Sequence, residues 1–160
     1  MAGTEGLATA RLLALAVPGA LIAGALGSQY LGGLYPCEMC QWQRWPHYAA
    51  ILVALAAFIV PGAAIRRALV LVAALLVAAS GAIGVFHAGV EYGWWQGVTA
   101  CTARIQPGGG DFLDALLKAP IVRCDVAQWT LAGISLAGFN AIFSTGGAIA
   151  ILAALGRRRG

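Results

Sequence analysis

The chain has 160 residues, of which 61% are hydrophobic and only 10% are charged. Soluble domains carry about 25% charged residues, so this composition excludes an ordinary soluble protein and indicates a membrane protein. The net charge of +4 comes from arginines clustered near the ends of apolar runs, which is a sign of membrane topology and gives no indication of nucleic-acid binding.

Four apolar runs are long enough to cross a hydrocarbon core about 30 Å thick, which takes about 20 helical residues. They are residues 12–31, 48–65, 68–88 and 131–155. The sequence therefore predicts an all-α integral membrane protein, a four-helix bundle formed as a single domain by residues 1–160. Only Arg66 and Arg67 separate the second and third runs, so these two helices are predicted to be antiparallel neighbours.

The first run has an alternative interpretation as a cleaved signal peptide. Arg11 would supply the basic region, and residues 23–25 would supply a small-residue cleavage site. The apolar run is longer than the roughly 7 to 15 residues typical of a signal peptide, so a membrane span is favoured.

Basic residues predict the orientation, because Lys and Arg near span ends are retained in the cytoplasm. Arg11, the pair Arg66 and Arg67, and residues 157–159 all fall on one side if the chain crosses four times. Both termini are therefore predicted to be cytoplasmic. Two outer loops, at about 32–47 and 89–130, lie on the opposite side, and residues 111–118 of the second loop are predicted to form a short amphipathic helix.

All four cysteines fall in the two outer loops. An even number of cysteines on the oxidising side of a membrane indicates disulfides, and four cysteines allow three pairings. Spacing within each loop favours Cys37 with Cys40 and Cys101 with Cys124, while exchange between the loops stays open. A Cys₄ zinc site is the alternative, but the second pair lacks the C-x-x-C form and an oxidising compartment does not preserve four thiolates. No metal is expected.

The C-x-x-C pair, Cys37 and Cys40, can cycle between dithiol and disulfide. Arg44 follows Cys40 by four residues, so on a helix it shares a face with that sulfur, where it can stabilise a thiolate and donate hydrogen bonds to a carbonyl oxygen of a flat, lipid-soluble acceptor. Trp45 and Tyr48 are predicted to form the aromatic walls of this pocket. The alternative is an arginine at a span end within an ordinary aromatic belt. Glu38 places a negative charge beside the thiols and opposes the effect of Arg44.

A second polar pair, His87 and Glu91, ends the third run. The two residues are four apart and share a helix face. A protonatable group near a membrane boundary can supply protons to a reduced acceptor. The alternative is an interfacial histidine with a purely structural hydrogen bond.

Five segments together resemble the disulfide bond formation protein B (DsbB) family, and the resemblance covers nearly the whole chain. They are residues 29–44, 87–91, 99–102, 122–125 and 133–140. The resemblance implies a thiol oxidase of the bacterial inner membrane. Such an enzyme reoxidises a periplasmic thioredoxin-fold dithiol protein of the DsbA type and passes two electrons to ubiquinone or menaquinone.

The resemblance also implies a role for each site residue. The partner's thiolate attacks Cys101 of a Cys101–Cys124 disulfide, and Cys124 then attacks Cys37 and releases Cys40 as the thiolate that contacts the quinone. Arg44 polarises the quinone, and His87 and Glu91 match quinone-side positions. Two further interpretations stay open, a related vitamin K epoxide reductase type and a four-helix membrane scaffold whose disulfides are purely structural.

Overall fold

The computed structural model describes residues 2–99 and 122–157. Four helices form the described part, α1 (Ala2–Tyr30), α2 (Glu38–Ile59), α3 (Ala63–Glu91) and α4 (Leu136–Gly156). A short antiparallel hairpin of β1 (Thr130–Leu131) and β2 (Ile134–Ser135) precedes α4. The prediction of an all-α protein with four helices is confirmed. Cys101, the helix predicted at 111–118 and the arginines at 158 and 159 lie outside the described residues.

Local side-chain chemistry fixes where α2 and α4 begin. The Cys37 sulfur accepts a hydrogen bond from the backbone N–H of Cys40 at 3.2 Å, which caps α2. The Ser135 hydroxyl caps α4 in the same way, accepting from the backbone N–H of Gly138 at 3.1 Å. Such caps satisfy backbone donors that have no partner inside the helix.

The second predicted span differs from the helix that forms. Instead of covering 48–65, α2 begins at Glu38 and ends at Ile59, and α3 already begins at Ala63. Hydropathy missed the first turns of α2 because they are polar, yet Gln43, Arg44 and His47 are buried there against other helices. The C-x-x-C motif thus lies at a helix start, and Arg44 lies on the helix and not in a loop.

The start of the fourth predicted span also differs. Residues 131–135 belong to the hairpin, and α4 begins only at Leu136. Ala132 and Gly133 form its turn with φ angles of 52° and 79°, as in the type I′ turns that favour tight hairpins. Sequence hydropathy could not detect this hairpin, because its residues are as apolar as the helix that follows.

Three of the described helices are long and apolar enough to cross a membrane. The first is the part of α1 from Glu5 to Tyr30, with a mean hydropathy of 1.7. The other two are the whole of α3 and the whole of α4, with mean hydropathies of 2.6 and 1.6. The polar first turns of α2 keep it outside this group. The length and composition of the three helices support a membrane protein.

The helices pack in a ring in which α1 and α3 each contact both α2 and α4. Small residues permit the close approach of α3 and α4, since a Cβ atom on Gly84 would lie 2.9 Å from the backbone nitrogen of Ala141. Towards one end, Arg67 donates to the carbonyl of Leu155 at 3.2 Å, which places the α2–α3 turn beside the end of α4. Cys37, Cys40, Cys124 and the hairpin lie at the opposite end of the bundle.

Candidate active site

Three cysteine sulfurs gather at the hairpin end of the bundle. The sulfurs of Cys37 and Cys40 are 2.9 Å apart, and both residues, like Cys124, are present as thiols. The sulfurs of Cys37 and Cys124 and a ring nitrogen of His87 all lie within 4.8 Å of one another. Cysteines 87 residues apart in sequence are thereby brought within a few ångströms.

The proton in the Cys37–Cys40 pair has a preferred place. The Cys37 thiol donates its hydrogen bond to the Cys40 sulfur, and this bond, together with burial, raises the pKa of Cys37. Only 4% of Cys37 is exposed. Cys37 therefore keeps its proton, and Cys40 is the sulfur positioned to carry the first negative charge.

Hydrogen bonds connect the segment around Cys124 to the residues after α3 and to the residues before α2. The Thr99 hydroxyl donates a hydrogen bond to the Cys124 sulfur at 3.4 Å, and the Gln128 side chain donates to the carbonyl of Tyr35 at 2.6 Å. Next to Cys124, the exposed Arg123 side chain donates two hydrogen bonds to Asp125, which lower the pKa of that carboxyl. These contacts hold Cys124 beside the start of α2.

Arg44 is a buried cation held by α1. It is 8% exposed and donates to the side-chain oxygen of Gln29 at 2.5 Å and to the carbonyl of Ala25 at 3.1 Å. Both acceptors are neutral, and the ion pairs found among the described residues do not include Arg44. Since a guanidinium has five N–H donors, Arg44 keeps donors for a further oxygen.

A cavity of about 240 Å³ lies between α1, α2 and α4. Cys40, Arg44 and His47 line its polar side, and apolar residues that include Leu21, Ile22 and Phe139 line the rest. Trp45 and Tyr48 do not line it. They are 68% and 36% exposed, so they match the alternative of an aromatic belt and not the predicted pocket walls.

His87 and Glu91 do not line this cavity. They line a smaller space of about 50 Å³ that Cys37, Cys40 and Arg44 also border. His87 Nε2 is 3.6 Å from the Cys37 sulfur and 3.7 Å from a Glu91 oxygen, and the Ser135 hydroxyl donates to Glu91. Of the four residues predicted to contact a quinone, only Cys40 and Arg44 thus border both spaces.

Sequence reasoning missed a buried polar network in the centre of the bundle. It joins α2, α3 and α4 through direct side-chain hydrogen bonds and consists of Gln43, His47, Ser80, His87, Asn140 and Ser144. A signal for it was present, because polar residues inside apolar membrane helices are rare and face the bundle interior.

Comparison with known proteins places these features in a family. The model of the family "Disulfide bond formation protein DsbB" matches residues 8–154. A curated relative, "Disulfide bond formation protein B" of Polaromonas sp. (strain JS666 / ATCC BAA-500), is 33% identical over 134 residues, which cover 76% of this chain and 74% of the relative. No solved structure matches the chain significantly. The chain belongs to the DsbB family of disulfide bond formation proteins.

Proposed function

We propose that this protein is a thiol oxidase of the bacterial inner membrane that reoxidises a periplasmic DsbA-type dithiol protein and passes the electrons to a membrane quinone. The juxtaposition of Cys124 with the Cys37–Cys40 pair carries the proposal, since their sulfurs are close enough to exchange disulfides. Membership of a disulfide-forming family supports the same reaction class.

The residues around Cys40 fit a quinone as the electron acceptor. The cavity of about 240 Å³ is largely apolar, as a lipid-soluble ring requires, and Cys40 and Arg44 both border it. Arg44 would hold a carbonyl oxygen of the ring through its remaining N–H donors. When bound, ubiquinone or menaquinone would supply an acceptor for the two electrons and two protons that the Cys37 and Cys40 thiols give up as they form their disulfide.

Disulfide exchange conserves electrons at each step of the proposed cycle. The partner's thiolate attacks Cys101 and releases Cys124, and the Cys124 thiolate attacks Cys37, forming a Cys37–Cys124 bond and releasing Cys40. The partner's second thiolate then attacks the partner's own sulfur in the mixed disulfide, which forms the partner's disulfide and releases Cys101 as a thiolate. Cys101 attacks Cys124, which restores the Cys101–Cys124 bond and releases Cys37, so the two electrons end on Cys37 and Cys40.

The acceptor must be strongly oxidising for this cycle to run forward. DsbA-type proteins have potentials near −120 mV, and each 30 mV of unfavourable difference costs about 1.4 kcal/mol for a two-electron couple. An ordinary disulfide cannot oxidise such a partner, whereas removal of electrons by a quinone can. The position of Cys40 beside the cavity supports this route.

The test measures quinone reduction by the purified protein supplied with a reduced DsbA-type dithiol. We expect one quinone to be reduced for each two partner thiols lost, with either ubiquinone or menaquinone, and we expect this activity to vanish in Cys40→Ser. Absence of reduction by the intact, folded protein with both quinones and several partners would leave the structural-disulfide interpretation in its place.

Two arginine variants separate a site effect from a general loss of charge. Arg44→Ala removes the buried cation beside Cys40, so the KM for quinone is expected to rise and the turnover to fall. Arg66→Ala is the matched control, because Arg66 binds the carbonyl of Val60 in the α2–α3 turn. The control variant is expected to retain wild-type turnover.

A further inference from the structure

We propose that Gln43 is a positioning residue that holds His87 in one tautomer, with the proton on Nε2, so that the imidazole donates a hydrogen bond to the Cys37 sulfur. The tautomer follows from the hydrogen-bond network alone. Its consequence for turnover rests on the proposed thiol oxidase function, and the two parts have separate readouts below.

Backbone carbonyls fix the orientation of the Gln43 amide. Its Nε2 lies 3.2 Å from the carbonyl oxygen of Met39, which can only accept, so the NH₂ group must point there. The Gln43 oxygen accepts from Asn140 Nδ2 at 2.8 Å. Asn140 is fixed in turn, because the same Nδ2 donates to the carbonyl of Ser80 at 3.1 Å. Exchanging the oxygen and nitrogen of either amide would place its oxygen against a backbone carbonyl oxygen, that of Met39 for Gln43 and that of Ser80 for Asn140.

The oriented amide decides the protonation of His87. The Gln43 NH₂ group lies 2.7 Å from His87 Nδ1, so Nδ1 must be the acceptor and carries no proton. In a neutral imidazole the proton is then on Nε2. That nitrogen lies 3.6 Å from the Cys37 sulfur and 3.7 Å from a Glu91 oxygen, and His87 also hydrogen-bonds to the backbone of Cys124. These acceptors agree with a donor at this position.

This tautomer distinguishes a thiolate-stabilising site from a metal site. Cys37, His87 and Cys124 are close enough to suggest a metal triad, but metal binding through Nε2 would move the ring proton to Nδ1. There it would face the N–H donors of Gln43. A histidine ligand requires an acceptor at its second nitrogen, and Gln43 offers a donor.

The hydrogen bond from His87 acts at one step of the proposed cycle. When Cys101 attacks Cys124, the Cys37–Cys124 bond breaks and Cys37 leaves with the electron pair as a thiolate. The Nε2–H group of His87 stabilises that charge without transferring its proton. Hydrogen bonds to charged groups are strong enough to change such a step by about tenfold.

The experiment is ¹⁵N NMR of the reduced protein labelled only at histidine. The chain has two histidines, and the spectrum of His87→Gln assigns them. We expect a one-bond proton coupling at His87 Nε2 and the resonance of an unprotonated nitrogen at Nδ1. A proton on Nδ1 of wild-type His87, or rapid exchange between the tautomers, would overturn the proposal.

His47 provides an internal reference in the same spectrum. Its Nε2 faces Asn140 Oδ1, Ser80 Oγ and Ser144 Oγ at 2.9 to 3.2 Å. Both hydroxyls donate their hydrogen bonds to other acceptors, Ser80 to the backbone carbonyl of Gln43 and Ser144 to Asn140 Oδ1. His47 Nε2 is therefore also protonated, independently of Gln43.

Three variants at two glutamines complete the test. Gln43→Leu is expected to give mixed tautomers at His87 and about tenfold slower turnover. Gln43→Glu places an acceptor at Nδ1, so the proton moves there, and Zn²⁺ binding by the reduced protein becomes at least about tenfold tighter. Gln41→Leu is the matched control, since none of the described side-chain hydrogen bonds involves Gln41.

Each measurement tests a different part of the proposal. Unchanged tautomers in Gln43→Leu and Gln43→Glu would remove Gln43 from the role proposed here. A tautomer shift in Gln43→Leu without any change in turnover would remove the consequence for Cys37. If the wild-type protein reduced no quinone at all, the proposed function would be contradicted, but the tautomer of His87 measured by NMR would still stand.

Discussion

At the scale of single residues, the two sulfurs of the C-x-x-C pair are inequivalent. Cys37 is buried, caps α2 and holds its proton towards Cys40, while Cys40 is half-buried and borders the larger cavity. Sequence spacing alone identified the pair and the arginine beside it. It could not assign the different roles, because these depend on which sulfur caps the helix.

This asymmetry predicts the order of alkylation in the reduced protein. A short pulse of a maleimide at neutral pH is expected to modify Cys40 before Cys37, because the thiolate reacts and the proton resides on Cys37. Peptide mass spectrometry of the quenched sample measures the order. Faster modification of Cys37 would contradict the proton placement, and Cys40→Ser shows the rate of Cys37 alone.

The raised pKa of Cys37 also predicts how the stability of the reduced protein depends on pH. The unfolded thiol titrates near about 8.5, and the folded thiol titrates above that value. The stabilisation is fully present below the unfolded value and is lost as pH rises towards the folded one, because the unfolded state releases its proton first. The slope is at most about 1.4 kcal/mol per pH unit.

Thermal unfolding in detergent under a phosphine reductant measures this slope. The matched variant is Cys37→Ser, which keeps a hydroxyl donor and a capping oxygen but does not titrate in this range. The difference between the two curves is expected to shrink as pH rises above about 8.5. A constant or growing advantage of the wild-type protein would show that the Cys37 pKa is not raised.

At the scale of helices, the close contact of α3 and α4 positions the polar network. Gly84 allows it, since an added Cβ would meet the backbone of α4 and the side chain of Asn140 at 2.9 to 3.1 Å. Hydropathy located α3 and α4 within a few residues but could not predict this packing. It also could not predict the start of α2, because the first turns of that helix are polar and are stabilised by a cap and by buried polar contacts.

We therefore predict opposite effects for the same substitution at two glycines. Gly84→Ala forces α3 and α4 apart and is expected to destabilise by about 1–3 kcal/mol, as overpacking does. Gly146→Ala is the control in α4, where a Cβ meets nothing within 4 Å, so removing a helical glycine is expected to stabilise by up to about 1 kcal/mol. Equal effects of the two variants on thermal unfolding would contradict the packing argument.

At the scale of the whole molecule, the two ends of the bundle differ in chemistry. Arg66 and Arg67 lie at one end, whereas the thiols, Glu91 and the hairpin lie at the other. The order of charges and cysteines along the chain was enough to predict this separation. The proximity of Cys124 to Cys37 was not predictable from spacing, because it depends on how two loops far apart in sequence pack together.

The predicted orientation can be measured with single cysteines in a background where the native ones are serine. Leu131→Cys lies on the exposed hairpin, and Ala64→Cys lies in the exposed first turn of α3, next to its connection to α2. A membrane-impermeant maleimide is expected to label the first in intact spheroplasts and the second only after lysis. The reverse pattern would place the thiols on the cytoplasmic side and would exclude a periplasmic protein as the partner.

The cap of α2 makes the backbone of that helix part of the redox couple. The positive end of the helix dipole, to which the capped N–H of Cys40 belongs, favours the negative charge that Cys40 carries in the reduced pair over the uncharged sulfurs of a disulfide. Stabilising the reduced form of a dithiol pair makes its disulfide a stronger oxidant. By thermodynamic reciprocity, each electron pair that enters the site also tightens the first turn of the helix that receives it.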